Sequence, residues 1–143
     1  MLMDNMQTIW DPLRKKHVAL TPEERVRQWC IGVLADELGV PMHMMMSEAG
    51  FRFGDKQFRA DIIVYDRKAR PLVVVECKRP EVELNREVLD QAVRYNMVLN
   101  VSYMIITNGG QTYVCKRMET DGQVRYSFID KVPSYNEMLC HQQ

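Results

Sequence analysis

The sequence has no long hydrophobic run and no excess of charge of either sign. None of its apolar segments approaches the roughly 20 residues that cross a bilayer, and nineteen Lys and Arg balance nineteen Asp and Glu. Balanced charge gives no general attraction to nucleic acid or to anionic membranes, although a small basic patch can exist within a neutral total. Residues 1–10 lack the basic and apolar regions of a secretory signal. We therefore expect a soluble, cytoplasmic protein.

Common metal and nucleotide motifs are also missing. The four cysteines form no C-x-x-C pair and have no histidine at zinc-finger spacing, so we expect reduced and mostly buried thiols. Residues 50–56 contain glycines and a lysine without the spacing of a P-loop, which predicts no ATP site in this chain. Only seven glycines and six prolines, with 46% hydrophobic residues, exclude collagen-like and disordered chains.

The length and patterning predict one compact domain. A chain of 143 residues is typical of a single domain. Residues 1–20 carry a basic run but little periodicity, so we interpret them as an arm or partly ordered lead-in, followed by a single domain over 21–143. Thr21, Pro22 and Glu24 form a helix start, with a capping box and a proline at the first helical position.

The remaining pattern alternates helices and strands. It predicts an α/β (α+β) fold with one central mixed sheet flanked by helices. The predicted helices cover 22–38 and 86–99, with a short one after 133, and the predicted strands cover 42–46, 57–65, 72–78, 102–107, 112–116 and 124–128.

Two acidic residues and a lysine lie in the paired strands 57–65 and 72–78. Glu76 and Lys78 are two apart, so both side chains leave the same face of their strand. Equal arm lengths on either side of the polar turn 66–71 place Asp61 opposite Glu76, within reach of one divalent cation. Two such carboxylates repel one another without a cation, so we expect Asp61→Asn or Glu76→Gln to leave stability equal or slightly higher. The alternative is that these residues are only solvated or cross-paired at a strand end.

These residues resemble a known family. Asp61 followed by Glu76-Cys77-Lys78 resembles the D…(D/E)-x-K core of the PD-(D/E)xK nuclease superfamily, with Ala60 at the proline position. The stretch 21–116 is similar to the N-terminal nuclease domain of type I restriction enzyme R (motor) subunits. The matching segments are 21–28, 60–65, 75–78, 90–96 and 107–109.

The resemblance implies a restriction-endonuclease-like fold and a divalent-metal-dependent DNA endonuclease of restriction-enzyme type. It implies that Asp61, Glu76 and the carbonyl of Cys77 hold Mg²⁺, with Mn²⁺ as a substitute, and that Lys78 orients the attacking water. The implied partners are DNA, restriction-modification subunits or a separate motor, and a homo-oligomer is allowed. The rival hypothesis is a catalytically silent DNA- or protein-binding module on a nuclease scaffold.

Further candidates carry simpler explanations as well. By resemblance, Gln91 and Tyr95 border the active site and contact DNA or position Lys78; otherwise they are an ordinary helix-surface amide and a half-buried tyrosine. Glu24 resembles an acid of the first helix that belongs to the metal site and the catalytic residues in some members of the superfamily. A capping box also explains a glutamate at this position. A basic fringe of side chains is a candidate for phosphate contacts, or is simply solvated. Its members are Arg67, Lys68, Arg70, Arg79 and Arg86.

Overall fold

A computed structural model describes residues 7–142, which form a six-stranded mixed sheet with helices on both faces and a small N-terminal hairpin. The strands are β1 (Thr8–Asp11), β2 (Lys16–Ala19), β3 (Met45–Phe53), β4 (Lys56–Tyr65), β5 (Pro71–Cys77), β6 (Tyr103–Thr107), β7 (Thr112–Thr120) and β8 (Gln123–Ile129). The helices are α1 (Pro22–Asp36), α2 (Arg86–Asn96) and α3 (Tyr135–Cys140), with short 3₁₀ turns at Met42–Met44 and Met97–Leu99.

The central sheet has the strand order β3-β4-β5-β6-β7-β8. All neighbours are antiparallel except β5 and β6, which are parallel and are joined by the crossover that contains α2. This confirms the predicted α+β class and is consistent with a restriction-endonuclease-like fold. The predicted antiparallel pairing of 57–65 with 72–78 is also confirmed, as β4 and β5.

Burial on both faces explains why the central strands are continuous apolar runs in the sequence. On one face, α1 and α3 pack on side chains such as Ile62, Val64 and Val75. On the other face, α2 covers a second set that includes Ile63 and Ile106. A strand covered on both faces loses the alternation of a half-exposed strand, because every side chain is buried.

Residues 7–20 contain more order than their sequence indicates; residues 1–6 of the predicted arm lie outside the part of the chain that the structure describes. β1 and β2 pair as a separate antiparallel hairpin, with Thr8 opposite Ala19 and Asp11 opposite Lys16. Asp11 is fully buried, pairs with Arg14 and accepts hydrogen bonds from Leu13 N at 2.8 Å and Ser47 Oγ at 3.1 Å. Strands of four residues held by an ion pair have no hydrophobic period, which is why the sequence predicts only an arm there.

The third strand also differs from its prediction. The sequence predicts a strand over 42–46, whereas Met42–Met44 form a 3₁₀ turn and β3 runs from Met45 to Phe53. β3 is the edge of the sheet, and its second half is largely exposed. An edge strand that is polar on its open side lacks the strong apolar signal of the buried strands.

Candidate active site

An open cleft of about 480 Å³ lies between α2 and the strands β4 and β5, beside the first turn of α1. Its lining residues from the strands are Arg59, Ala60, Asp61, Val75, Glu76, Cys77 and Lys78, those from α2 are Val88, Gln91, Ala92, Tyr95 and Asn96, and α1 supplies Glu23. The cleft therefore brings together the predicted set Asp61, Glu76, Lys78, Gln91 and Tyr95.

The β4–β5 register places Asp61 next to Glu76. Ile62 pairs with Val75, so the next positions outward in this antiparallel ladder are Asp61 and Glu76. Oδ2 of Asp61 accepts the backbone N–H of Cys77 at 2.7 Å, which fixes one side of its carboxylate. The Cys77 side chain is buried in the core, where a hydrogen bond with Cys30 and burial raise the pKa of its thiol. Only the backbone of Cys77 is suited to serve the cleft.

Glu76 and Lys78 project from the same strand face, as their spacing predicts. Nζ of Lys78 lies 2.8 Å from Oε2 of Glu76. The other oxygen, Oε1, accepts a hydrogen bond from Nδ2 of Asn96 at 2.9 Å. Asn96 is buried and also donates to the carbonyl of Ala92, so its amide is held in place against Glu76.

A buried arginine lies against Asp61 on the side away from Cys77. Nη2 of Arg27, on α1, donates to Oδ1 of Asp61 at 2.8 Å and lies 2.6 Å from Oε1 of Glu48. The guanidinium also pairs with Glu24 and lies 3.5 Å from Glu23. Burial alone would lower the pKa of Arg27, but the hydrogen bond and charge of Asp61, with the other carboxylates, outweigh burial and raise it. Arg27 is therefore the fixed countercharge of this acidic cluster.

The two neighbouring acids of α1 have different surroundings. Glu24 is buried and does not line the cleft; it pairs with Arg27, and its Oε1 accepts from Nη2 of Arg14 at 2.7 Å. Its side chain also does not complete the expected capping box, although Thr21 Oγ1 accepts the N–H of Glu24 at 3.1 Å. Glu23 lines the cleft instead, and burial and the charge of Asp61 raise its pKa. The first-helix acid that the geometry favours is thus Glu23.

A chain of ion pairs joins the N-terminal hairpin to the cleft. Asp11 pairs with Arg14, Arg14 with Glu24, Glu24 with Arg27, and Arg27 with Asp61. Asp11, Glu24 and Arg27 are each at most 5% exposed, so the chain is screened from solvent for most of its length. The hairpin therefore supports the orientation of Asp61.

The basic fringe is divided between the two ends of β5. Arg67, Lys68 and Arg70 lie at the β4–β5 turn, about five residues or roughly 16 Å of strand from Glu76, and they do not line the cleft. Arg70 pairs there with Asp66 at 3.0 Å. Arg79 directly follows the cleft residue Lys78, is 57% exposed and pairs with Glu81 at 3.2 Å.

Arg86 lies at the first turn of α2, where it is almost fully exposed and 3.7 Å from Asp90. An arginine outside the basic fringe, Arg59, does line the cleft; it is 73% exposed and lies 2.8 Å from Glu48.

The donor set suits a hard divalent cation that keeps part of its water shell. Within residues 7–142, no three His, Cys, Asp or Glu side chains are grouped as a ready-made metal site. Mg²⁺, however, is commonly held by one or two carboxylates with waters and substrate phosphates. Asp61, Glu76 and the Cys77 carbonyl provide such a set, and the nearby acids Glu23 and Glu48 add negative charge. Each oxygen of Asp61 and Glu76 already accepts one contact, and a second lone pair on each stays available.

Several residues of the site have no role in the sequence-based prediction: the cleft residues Glu23 and Arg59, and the supporting residues Arg27, Asn96 and Glu48. Arg27 and Asn96 are polar residues at core-facing helical spacing, among Cys30, Leu34, Leu89 and Ala92. A polar side chain on an apolar helix face is the signal that could have found both of them. Glu48 lies in the edge strand β3, in a part that the sequence does not predict as a strand, and it has a positive φ of 51°. Nothing in the local sequence predicts its contact with Arg27.

Comparison with known proteins places these features in a family. The family described as type I restriction enzyme R protein N terminus matches residues 22–133. The chain belongs to this family. A comparison with the curated proteins gives no match. The match begins at the first residue of α1 and includes the whole central sheet, so every cleft residue named above lies within it.

Membership in the R protein N terminus family indicates a restriction-enzyme-related role. The family implies DNA as a partner. No helix within residues 7–142 is long and apolar enough to cross a membrane.

Proposed function

We propose that this R protein N-terminal domain is a divalent-metal-dependent DNA endonuclease of the PD-(D/E)xK type. The observation that carries the proposal is the convergence of Asp61, Glu76 and Lys78 on one open cleft. The register of β4 and β5 produces this convergence, since it places the two carboxylates side by side where the β4–β5 ladder ends. Membership in a restriction-enzyme family supports the same conclusion.

Asp61, Glu76 and the Cys77 carbonyl would hold Mg²⁺ or Mn²⁺. Bound there, the ion would act as a Lewis acid that offsets negative charge on the scissile phosphate. The residues of the chain have distinct roles around it. Arg27 and the N–H of Cys77 orient Asp61, whereas Asn96 orients Glu76.

Lys78 is the proposed catalytic cation. Its ammonium group lies at the carboxylate of Glu76, on the open side of the cleft. From this position it can orient an attacking water and stabilise the charge that develops on the phosphoryl oxygens. Gln91 and Tyr95 form the α2 wall, where the DNA strand would run. Arg59 is placed to contact the phosphate backbone at the rim.

The second candidate is a DNA- or protein-binding module without catalysis. The specific observation in its favour is that each proposed ligand carboxylate already has a cationic partner: Arg27 pairs with Asp61, and Lys78 pairs with Glu76. Such internal pairs give a stable cleft without a metal ion.

Cleavage assays distinguish the two candidates. Supercoiled plasmid and linear duplex are incubated with the domain and Mg²⁺ or Mn²⁺, alone and with restriction-modification subunits. The nuclease proposal expects nicked or linear product with wild type and none with Asp61→Asn. Calorimetry with Mg²⁺ on the same two proteins reports metal binding separately. No cleavage under any metal or subunit combination, with DNA binding intact, would support the binding module.

A further inference from the structure

Four aromatic rings form a cluster next to the proposed active site. Phe58 lies at its centre, with ring centroids 4.6 Å from Tyr95, 6.2 Å from Phe51 and 6.3 Å from Phe53. Phe58 is only 5% exposed, whereas Tyr95 is 50% and Phe53 is 42% exposed. The cluster thus has a buried ring at its centre, Phe58, and two exposed rings, Tyr95 and Phe53.

The ring of Tyr95 is held in a fixed orientation. It stacks on Phe58 with an interplanar angle of 22°, so one of its faces is covered. Its hydroxyl oxygen accepts the backbone N–H of Arg59 at 3.4 Å, which restrains the far end of the side chain. The residue is nevertheless half exposed and lines the cleft, so part of its surface is open to a ligand there. A flat aromatic face that is already ordered loses little conformational entropy when a ligand stacks on it.

The surroundings of the cluster favour an anionic ligand that has flat rings. Tyr95 and Arg59 line the same cleft as Asp61 and Glu76. The adjoining ends of β3 and β4 also expose Arg52 and Lys56, with Asp55 as the exposed acid in the turn between them. Cations that follow a backbone, interleaved with aromatic rings, are the features by which proteins hold single-stranded nucleic acid.

We propose that the ring of Tyr95 is a stacking platform for an unpaired base of the DNA substrate. Phe53, whose ring stands edge-on to Phe58 at 87°, forms an apolar contact beside that base. Within a duplex, each base face is covered by the neighbouring pairs, so the platform can stack only on an unpaired base or on a duplex end. The inference rests on the proposed function and deepens it: the preferred substrate has a single-stranded segment that passes over the platform while the adjacent phosphate lies in the cleft. Arg52 and Lys56 contact the backbone of that segment.

The test compares binding of a blunt duplex with binding of the same duplex carrying a single-stranded overhang. Fluorescence anisotropy is measured in Ca²⁺, at fixed salt, for wild type, Phe53→Ala, Tyr95→Ala and Tyr95→Phe. The expected result is tighter binding of the overhang substrate by wild type, and an affinity about 5- to 100-fold lower with either alanine variant. Tyr95→Phe keeps the ring and should recover most of the difference. Blunt-duplex affinity should fall less than overhang affinity in both alanine variants, because a blunt duplex offers the ring only its terminal base pairs.

A 2-aminopurine base in the overhang gives a readout that a purely structural role would not affect. Its fluorescence should change when wild type or Tyr95→Phe binds, and not when Tyr95→Ala binds at saturating concentration. The matched control is Phe128→Ala on β8, which removes another half-exposed ring, 47% exposed, that does not line the cleft. Thermal melting of each variant shows that it is folded.

The outcomes separate this inference from the proposed function. Metal-dependent cleavage with no effect of Phe53→Ala or Tyr95→Ala, beyond that of Phe128→Ala, overturns the platform alone. Ring-dependent overhang binding without cleavage under any metal overturns the nuclease and leaves the platform in a binding module. A wild-type dimer that the alanine variants convert to monomer, measured by light scattering, would show that a second copy covers the rings and would also overturn the platform.

Discussion

Arg27 and Asp61 come from different elements and form a direct ion pair, with Nη2 of the arginine 2.8 Å from Oδ1 of the aspartate. The arginine side chain is 4% exposed, so this contact is made largely out of water. Arg27 thus contacts the carboxylate that we propose as a metal ligand. The ion pair therefore links the packing of α1 on the sheet to the chemistry of the cleft. A substitution at Arg27 should affect both.

Arg27→Met is predicted to lower the free energy of unfolding by about 3–5 kcal/mol in metal-free buffer. The change removes the guanidinium from Glu24, Glu48 and Asp61 and leaves buried carboxylate charge without its partner. Mg²⁺ should restore part of the loss, because a divalent cation can offset some of the same charge. Urea unfolding of both proteins, in EDTA and in Mg²⁺, measures the two effects.

Arg59→Met is the matched control, since Arg59 also contacts Glu48 but is 73% exposed. A surface pair of this kind contributes at most about 1 kcal/mol. Arg27→Lys should recover part of the stability lost in Arg27→Met. Equal unfolding free energies for wild type and Arg27→Met would show that the buried ion pairs do not hold α1 in place.

The parts of the fold that the sequence predicts correctly are those with a strong local signal. The apolar runs and the polar turn between them predict the pairing of β4 with β5, and the Asp121-Gly122 turn predicts the β7–β8 hairpin. Both turn residues have positive φ, 53° and 77°, as a tight hairpin of that composition requires. The N-terminal hairpin was not predicted, because its four-residue strands have no hydrophobic period and Asp11 holds them through polar contacts, one of them with the distant Ser47.

The residues of the site divide in the same way, into those with a local signal in the sequence and those without one. Asp61, Glu76 and Lys78 could be brought together from strand periodicity and arm length alone. The contacts of Arg27 with Asp61 and of Asn96 with Glu76 span 34 and 20 residues of sequence and depend on how the helices pack on the sheet. The placement of Arg67, Lys68 and Arg70 away from the cleft follows from the same strand direction that places the acids within it, because the β4–β5 turn and the cleft lie at opposite ends of β5.

The two proposed metal-binding carboxylates should differ in their effect on stability. Asp61→Asn is predicted to cost about 1–2 kcal/mol in metal-free buffer, because the buried Arg27 loses one of its charged partners. Glu76→Gln should cost less, since Lys78 is 33% exposed and can be solvated instead. This revises the expectation of equal or higher stability, which assumed that the carboxylates have no countercharges. Urea unfolding in EDTA measures the costs, and calorimetry should show weaker Mg²⁺ binding in both variants.

Asp66 should make the β4–β5 turn sensitive to acid. Burial raises its pKa, but hydrogen bonds from Arg70, Gln142 and Lys68 outweigh burial and lower the pKa from 3.8 to about 2. A carboxyl whose pKa is lower in the folded state stabilises the fold above its unfolded pKa, and this contribution is lost as the pH falls toward 2. The contribution at neutral pH is about 2 kcal/mol. Asp66→Asn should therefore be less stable than wild type at pH 6, and the difference should shrink below about pH 4.

Unfolding by urea at several pH values tests this expectation. Asp121→Asn, a change in an exposed turn carboxylate with similar positive φ, is the control and should follow the wild-type curve. A constant difference between Asp66→Asn and wild type across the pH range would mean that the turn is held by hydrogen bonds independent of the carboxylate charge.

Lys78→Ala is predicted to separate cleavage from binding. Its ammonium group lies at Glu76 within the cleft, where it acts on the attacking water and on charge that develops in the transition state. Such an interaction lowers the barrier and adds little to ground-state affinity. Single-turnover cleavage with saturating protein and Mg²⁺ should slow by about 10²–10³-fold, whereas the dissociation constant for DNA in Ca²⁺ should change by less than about 3-fold.

Arg59→Ala provides the opposite pattern, because Arg59 is an exposed cation at the rim of the same cleft. Loss of a phosphate contact should weaken DNA binding and reduce its salt dependence by about one ion. At saturating protein, its cleavage rate should stay close to that of wild type. If Lys78→Ala instead weakens binding while cleavage at saturation is unchanged, Lys78 contributes a phosphate contact, and the catalytic cation must be another residue of the cleft.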